Sequence, residues 1–212
     1  MNEEQAVLDF FAQQENLPLG LSIAEQMDSI REQMNNRFWK ALRQRLDALI
    51  AEHDLHWQTA LTEDKNARDT VVGLYCIPRT PQMVHLRPMM EQQLLGGAWR
   101  IYYGLMWNTV PAAEQLQLPA VRNLKASLQH EGYKDNENFL AWQWAMLYPR
   151  RRDFLLRYAN QPAGLLEEVE AIFKSLLIDH GDAIAQANES PDKISTGSLS
   201  STLDQLRGEL LG

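Results

Sequence analysis

Between Ser22 and His53 the chain contains neither proline nor glycine, and Ile23, Met27, Ile30, Met34, Phe38, Ala41, Leu42, Leu46 and Leu49 recur in steps of three and four. That spacing puts them on one stripe of a 3.6-residue helix and predicts a long amphipathic helix over 22–53. Ser22 followed three residues later by Glu25 is a capping-box signature: the serine oxygen accepts a first-turn N–H and the glutamate reaches back to the cap. With Phe38 as the centre of the stripe, Arg31 and Arg45 each fall about 20° away at 100° per residue. Both arginines therefore lie inside the apolar face. A buried guanidinium needs a paired acid and further acceptors; otherwise its stem packs while its head reaches water.

Upstream, residues 3–14 form a short helical pattern with Val7, Leu8, Phe10 and Phe11 as its apolar side, and Pro18 and Gly20 punctuate the chain before Ser22. Downstream, period-two patterns predict strands over 55–61, 71–77, 83–87 and 99–107. In the last of these Trp99, Ile101, Tyr103, Leu105 and Trp107 share one face, and the other face is also largely apolar, as expected of an interior strand covered on both sides. Residues 89–95 read as a helical turn or two ending at Gly96-Gly97, and 139–148 fits either period. Helices are expected over 111–131 with a break near Pro119, over 150–159, and over 165–188 as a second long helix with Gly181 as its weak point. Residues 190–201 resemble a linker, and 203–211 a short terminal helix. Successive strands joined by short loops pair antiparallel. The fold class predicted is α+β: an antiparallel sheet of about four or five strands flanked by two long amphipathic helices. Residues 1–189 form a single domain and 190–212 an appendage.

Composition narrows the partners. The chain has 212 residues, 20 Lys/Arg and 28 Asp/Glu, for a formal charge of −8, which disfavours a dedicated polyanion binder. Both halves, 1–106 and 107–212, carry 10 basic and 14 acidic residues. Cys76 is the one cysteine, so no intramolecular disulfide can form, which suits a reducing compartment. The opening MNEEQAVLDFF lacks the basic start of a signal peptide, and no apolar run reaches the roughly 20 residues of a membrane helix. A cytoplasmic protein with no membrane association is expected.

Candidate chemistry is sparse. His53, His56, His85, His130 and His180 show no metal-ligand spacing, and no GxSxG, P-loop or GxGxxG is present. Neither a metal nor a cofactor is expected. Glu63-Asp64-Lys65 has the E-x-K form of a metal-dependent nuclease strand, with Asp54 or Asp69 as the further carboxylate, but TEDKNARD reads as a solvated loop. One basic patch stands out: Arg150, Arg151 and Arg152 with Arg157, close in sequence to Trp142, Trp144 and Tyr148. Arginines beside aromatics can stack bases and hold phosphate; Glu167, Glu168 and Glu170 on the following helix offer internal partners instead. Trp142, Trp144, Arg150, Arg151, Arg152 and Arg157 are the candidate interaction residues.

Arg37-Phe-Trp-Lys-Ala-Leu42 on a long helix, Tyr102-Tyr-Gly-Leu105 ending a strand, Ala141-Trp142, Arg152-Asp153-Phe154 and a final Leu/Ile-rich helix follow one another in an order that resembles the C-terminal accessory region of bacterial PD-(D/E)XK nuclease superfamily proteins, over roughly residues 20–188. The resemblance implies an accessory part standing alone. It carries over no catalytic residue, because the family's core motifs are not matched here. The expected function is a non-enzymatic cytoplasmic protein-interaction module with a protein partner, as a stand-alone accessory region or an immunity- or antitoxin-type binder. The alternative is a divergent metal-dependent nuclease or a nucleic-acid-binding protein.

Overall fold

A computed structural model of the protein describes residues 2–189. The expected linker and terminal helix over 190–212 lie outside the described residues. Helix α1 (Glu3–Ala12) is followed by α2 (Leu17–Glu52), strands β1 (Trp57–Leu61), β2 (Val72–Pro78), β3 (Leu86–Leu95) and β4 (Ala98–Trp107), helices α3 (Ala113–Leu116) and α4 (Pro119–His130), strand β5 (Phe139–Ala145), and helices α5 (Arg152–Asn160), α6 (Pro162–Lys174) and α7 (Gly181–Asn188). The five strands form one antiparallel meander in the order β1-β2-β3-β4-β5. This is the α+β architecture read from the sequence, with β4 in the interior as its two apolar faces required.

Three elements depart from expectation. Helix α2 begins at Leu17, so Ser22 is inside it and caps nothing. Pro18 falls in the first turn, where its missing N–H has no intrahelical partner to lose and its fixed φ suits the helix. Gly20 is retained because α1 folds back there: a Cβ would lie 3.0 Å from Phe11 Cδ1. The stretch expected to be helical over 89–95 is the second half of β3. It is held in extended form between two strands, and such a position overrides weak intrinsic preference. Pro88 is tolerated because β3 pairs with β2 over 89–92, just past it. The second long helix is broken into α6, a π-helical turn at Ser175–Asp179 closed by His180 N–H to the Ser175 carbonyl (3.0 Å), and α7 starting at the expected weak point, Gly181.

One sheet face carries Leu74, Cys76, Leu86, Met90, Ile101 and Leu105, and packs against Phe38, Leu42 and Leu46 of α2, Leu124 and Leu128 of α4, and Val169 and Phe173 of α6 in one buried cluster. Polar contacts fix the helices on this face. The Trp39 indole N–H donates to Gln92 Oε1 of β3 (2.9 Å), while Asn35 Nδ2 and Gln92 Nε2 both donate to the Lys65 carbonyl (2.6 and 2.8 Å). Arg45 reaches Glu170 (2.7 Å) and Glu167 (3.8 Å), joining α2 to α6; this arginine of the apolar stripe does meet acids of a later helix. Asn188, at the end of α7, clamps both backbone groups of Leu86: its Oδ1 accepts the N–H (2.7 Å) and its Nδ2 donates to the carbonyl (3.1 Å). Cys76 is buried in this core, where desolvation pushes its thiol up and keeps it protonated and inert.

Gly104 sets how closely β4 and β5 approach, since a Cβ there would sit 2.0 Å from the Ala141 carbonyl oxygen, a backbone atom with no rotamer to yield. Replacement of Gly104 by alanine is expected to destabilise the fold by about 3 kcal/mol, read as a lowered midpoint in urea denaturation; an unchanged midpoint contradicts the close approach.

Candidate functional site

The six candidate interaction residues are placed in three different regions. Trp142 and Trp144 project from β5 onto the sheet face opposite the helices. Arg150 and Arg151 line a cleft beside α2. On α5, Arg152 is exposed, and Arg157 pairs with Glu168, one of the acids the sequence offered it. Linear proximity to the tryptophans did not translate into one surface, because Tyr148 and Pro149 turn the chain between strand and helix.

The second sheet face is aromatic and polar. Tyr102 meets Trp142, Trp144 and Phe139 edge to face at 5.5–6.4 Å between ring centroids. The Arg100 guanidinium lies 4.0 Å over the Trp144 ring and that of Arg87 4.5 Å over Tyr75, a geometry in which cation and π-face attract. In register, Glu91 stands between Gly73 and Tyr102. Gly73 provides the room: a Cβ there would be 2.7 Å from Glu91 Cγ and 2.8 Å from Tyr75 Oη. The Tyr75 hydroxyl donates to Glu91 Oε1 at 2.6 Å, and Gln93 Nε2 donates to the Tyr102 hydroxyl at 3.1 Å. Burial pushes the Glu91 carboxyl up, against the opposing pull of the Tyr102 and Tyr75 hydroxyls and of Arg87. Burial likewise raises both tyrosines, with the Glu91 charge adding to it. These hydrogen bonds tie β2, β3 and β4 together across this face.

The loop over 62–71 does not form a metal clamp. Glu63 is exposed, and the Lys65 ammonium donates to the Thr62 and Glu63 carbonyls of its own turn (3.1 and 2.8 Å). Among the described residues, no group of three or more His, Cys, Asp or Glu could hold a metal ion. None of the described helices is long and apolar enough to cross a membrane.

The surface that sequence reasoning missed is the N-terminal arm. No residue from 2 to 34 is buried. The apolar stripe of α2 meets the core only from Asn35 onward, so the first 18 residues of the helix, about 27 Å at 1.5 Å per residue, run beyond it. Asn16 closes the α1–α2 turn by donating to the Phe10 carbonyl (3.1 Å) and to Gln13 Oε1 (3.0 Å). Val7, Leu8, Phe10, Leu17, Leu19, Leu21, Ile23 and Ile30 are each at least 40% exposed. Residues 2–30 also hold six carboxylates (Glu3, Glu4, Asp9, Glu15, Glu25 and Asp28) and no lysine or arginine. That charge run was legible in the sequence at a finer window than the two halves. The exposure of the stripe was not, because periodicity gives a face and not what covers it.

Glu91 makes a pH prediction. Its folded pKa lies above the ordinary glutamate value of about 4.3, so between the two the folded state binds more protons than the unfolded chain and stability falls as pH rises. Denaturation midpoints measured from pH 4 to pH 8 should decline more steeply for the native chain than for Glu91→Gln; parallel profiles contradict the upward shift of the buried carboxyl. Compared with protein-family models, with curated proteins and with solved structures, the chain matches none.

Proposed function

We propose that this chain is a non-enzymatic protein-interaction module that docks on a basic partner protein through its N-terminal helical arm. The observation that carries the reading is the coincidence, over residues 2–30, of exposed large apolar side chains with six carboxylates and no lysine or arginine within the segment, although Asp28 is answered by Arg31 and Arg150 outside it. Contiguous exposed apolar surface rimmed by charge marks interaction sites. A uniform sign of charge steers and selects an opposite one. An α1–α2 hairpin with a rigid turn presents its apolar residues pre-ordered, which lowers the entropy lost on docking. An immunity-type binder held against a basic enzyme would use this chemistry. We read the second sheet face, with Glu91 buried and hydrogen-bonded to Tyr75, as structural.

The arm can be altered without disturbing the core. The triple variant Leu8→Glu, Phe10→Glu, Leu19→Glu should keep its thermal midpoint within about 2 °C. It should also lose a partner that the native chain captures, that mass spectrometry shows to be basic, and that high salt releases. Equal capture by the native and triple-variant chains overturns the proposal. So does a native dimer in sedimentation that the triple variant abolishes, since the arm would then serve a second copy of the chain.

A further inference from the structure

We infer that the cleft between α2, the β3–β4 turn and the loop before α5 binds a small phosphate-bearing ligand. The cleft has a volume of about 630 Å³, and the side chains of Arg31, Arg68, Arg150 and Arg151 all line it. One carboxylate, Asp28, faces them from the lining, and Glu32 stands 3.8 Å from Arg150 at its margin. Four guanidiniums against two carboxylates leave a positive excess of two, in a chain whose net charge is −8.

The arrangement is built and not merely adjacent. The Arg150 side chain is 10% exposed, and its guanidinium lies 5.6 Å from the centroid of the buried Trp99 ring. A single oxygen, Asp28 Oδ1, accepts from both Arg31 Nη1 (3.2 Å) and Arg150 Nη2 (3.3 Å), so two forks already converge on one anionic oxygen. Arg31 Nε is buried without a partner. Gly96 and Gly97 turn the hairpin with φ of +55° and +78°, and a Cβ at either would meet nothing within 4 Å, which keeps that wall of the cleft open.

Ligand chemistry follows from donor count and charge. A carboxylate offers two oxygens and one charge, and Asp28 already supplies that much. A phosphate offers three terminal oxygens and up to two charges, matching the planar forks of several arginines. Polymeric phosphate is disfavoured, since the acidic arm carrying Asp28 and Glu25 borders the cleft and repels a long polyanion. The ligand is therefore a free small phosphate compound.

Calorimetric titration of the full chain with inorganic pyrophosphate, ATP and a single-stranded oligonucleotide, at matched ionic strength, tests this independently of the arm. One site per chain is expected for pyrophosphate and ATP. Equal affinities would place recognition on the phosphates, and tighter ATP binding would add a base or ribose contact; both support the inference. Arg150→Gln should weaken binding about tenfold, as loss of a charge-assisted fork does, and Asp28→Asn should tighten it several-fold by removing the internal competitor. The exposed pair Arg68→Gln, Arg151→Gln supplies the same readout if Arg150→Gln does not fold. No heat with either small phosphate at millimolar concentration overturns the inference. So does an affinity unchanged in the arginine variants, or a preference for the oligonucleotide over ATP.

Discussion

The hydrogen bond from the Trp39 indole to Gln92, buried between α2 and β3, determines where the rest of the molecule can lie. An indole N–H and a side-chain amide sequestered together must satisfy each other, because either left alone costs about 1–3 kcal/mol. The same Gln92 amide donates to the Lys65 carbonyl, which Asn35 also reaches, so helix, central strand and β1–β2 loop are locked in one network. Once α2 is pinned at Asn35 and Trp39, its direction is set, and everything N-terminal to those residues is carried past the edge of the core.

Charge and shape are thereby separated within one helix. In the half of α2 that touches the sheet, Arg43 is answered by Asp47 and Arg45 by Glu170 and Glu167. The half that runs free is acidic and apolar together. Arg31 and Arg150 stand at the junction, bridged by Asp28, where the arm meets the body. The exposed arm and the basic cleft therefore share a border.

The two sheet faces show how one antiparallel meander hosts two kinds of interior. Toward the helices the burial is aliphatic and aromatic, and non-directional. On the opposite face the same strands bury Glu91, Gln93 and Tyr102 among rings and cations. Such a face depends on small residues in the right register, since Gly73 makes the space in which Glu91 and Tyr75 meet. A one-residue slip would exchange the two faces, so the polar cluster and the core specify the register jointly.

The sequence by itself determined the α+β class, the interior strand at 99–107, the helix through Phe38 and Leu46, the apolar setting of Cys76 and the presence of arginines within the apolar stripe that need either an internal acid or water. Each of these rests on local periodicity or on a charge that must be paired. Only the tertiary structure decided that Ser22 is no cap, that 89–95 is strand, that 165–188 breaks at a π-helical turn, and that Trp142 is buried on the far sheet face while Arg150 lines a cleft. It also decided that half of the α2 stripe stays exposed. Periodicity fixes which side of an element is apolar; whether that side meets the core, a neighbouring strand or solvent depends on contacts between residues far apart in the chain.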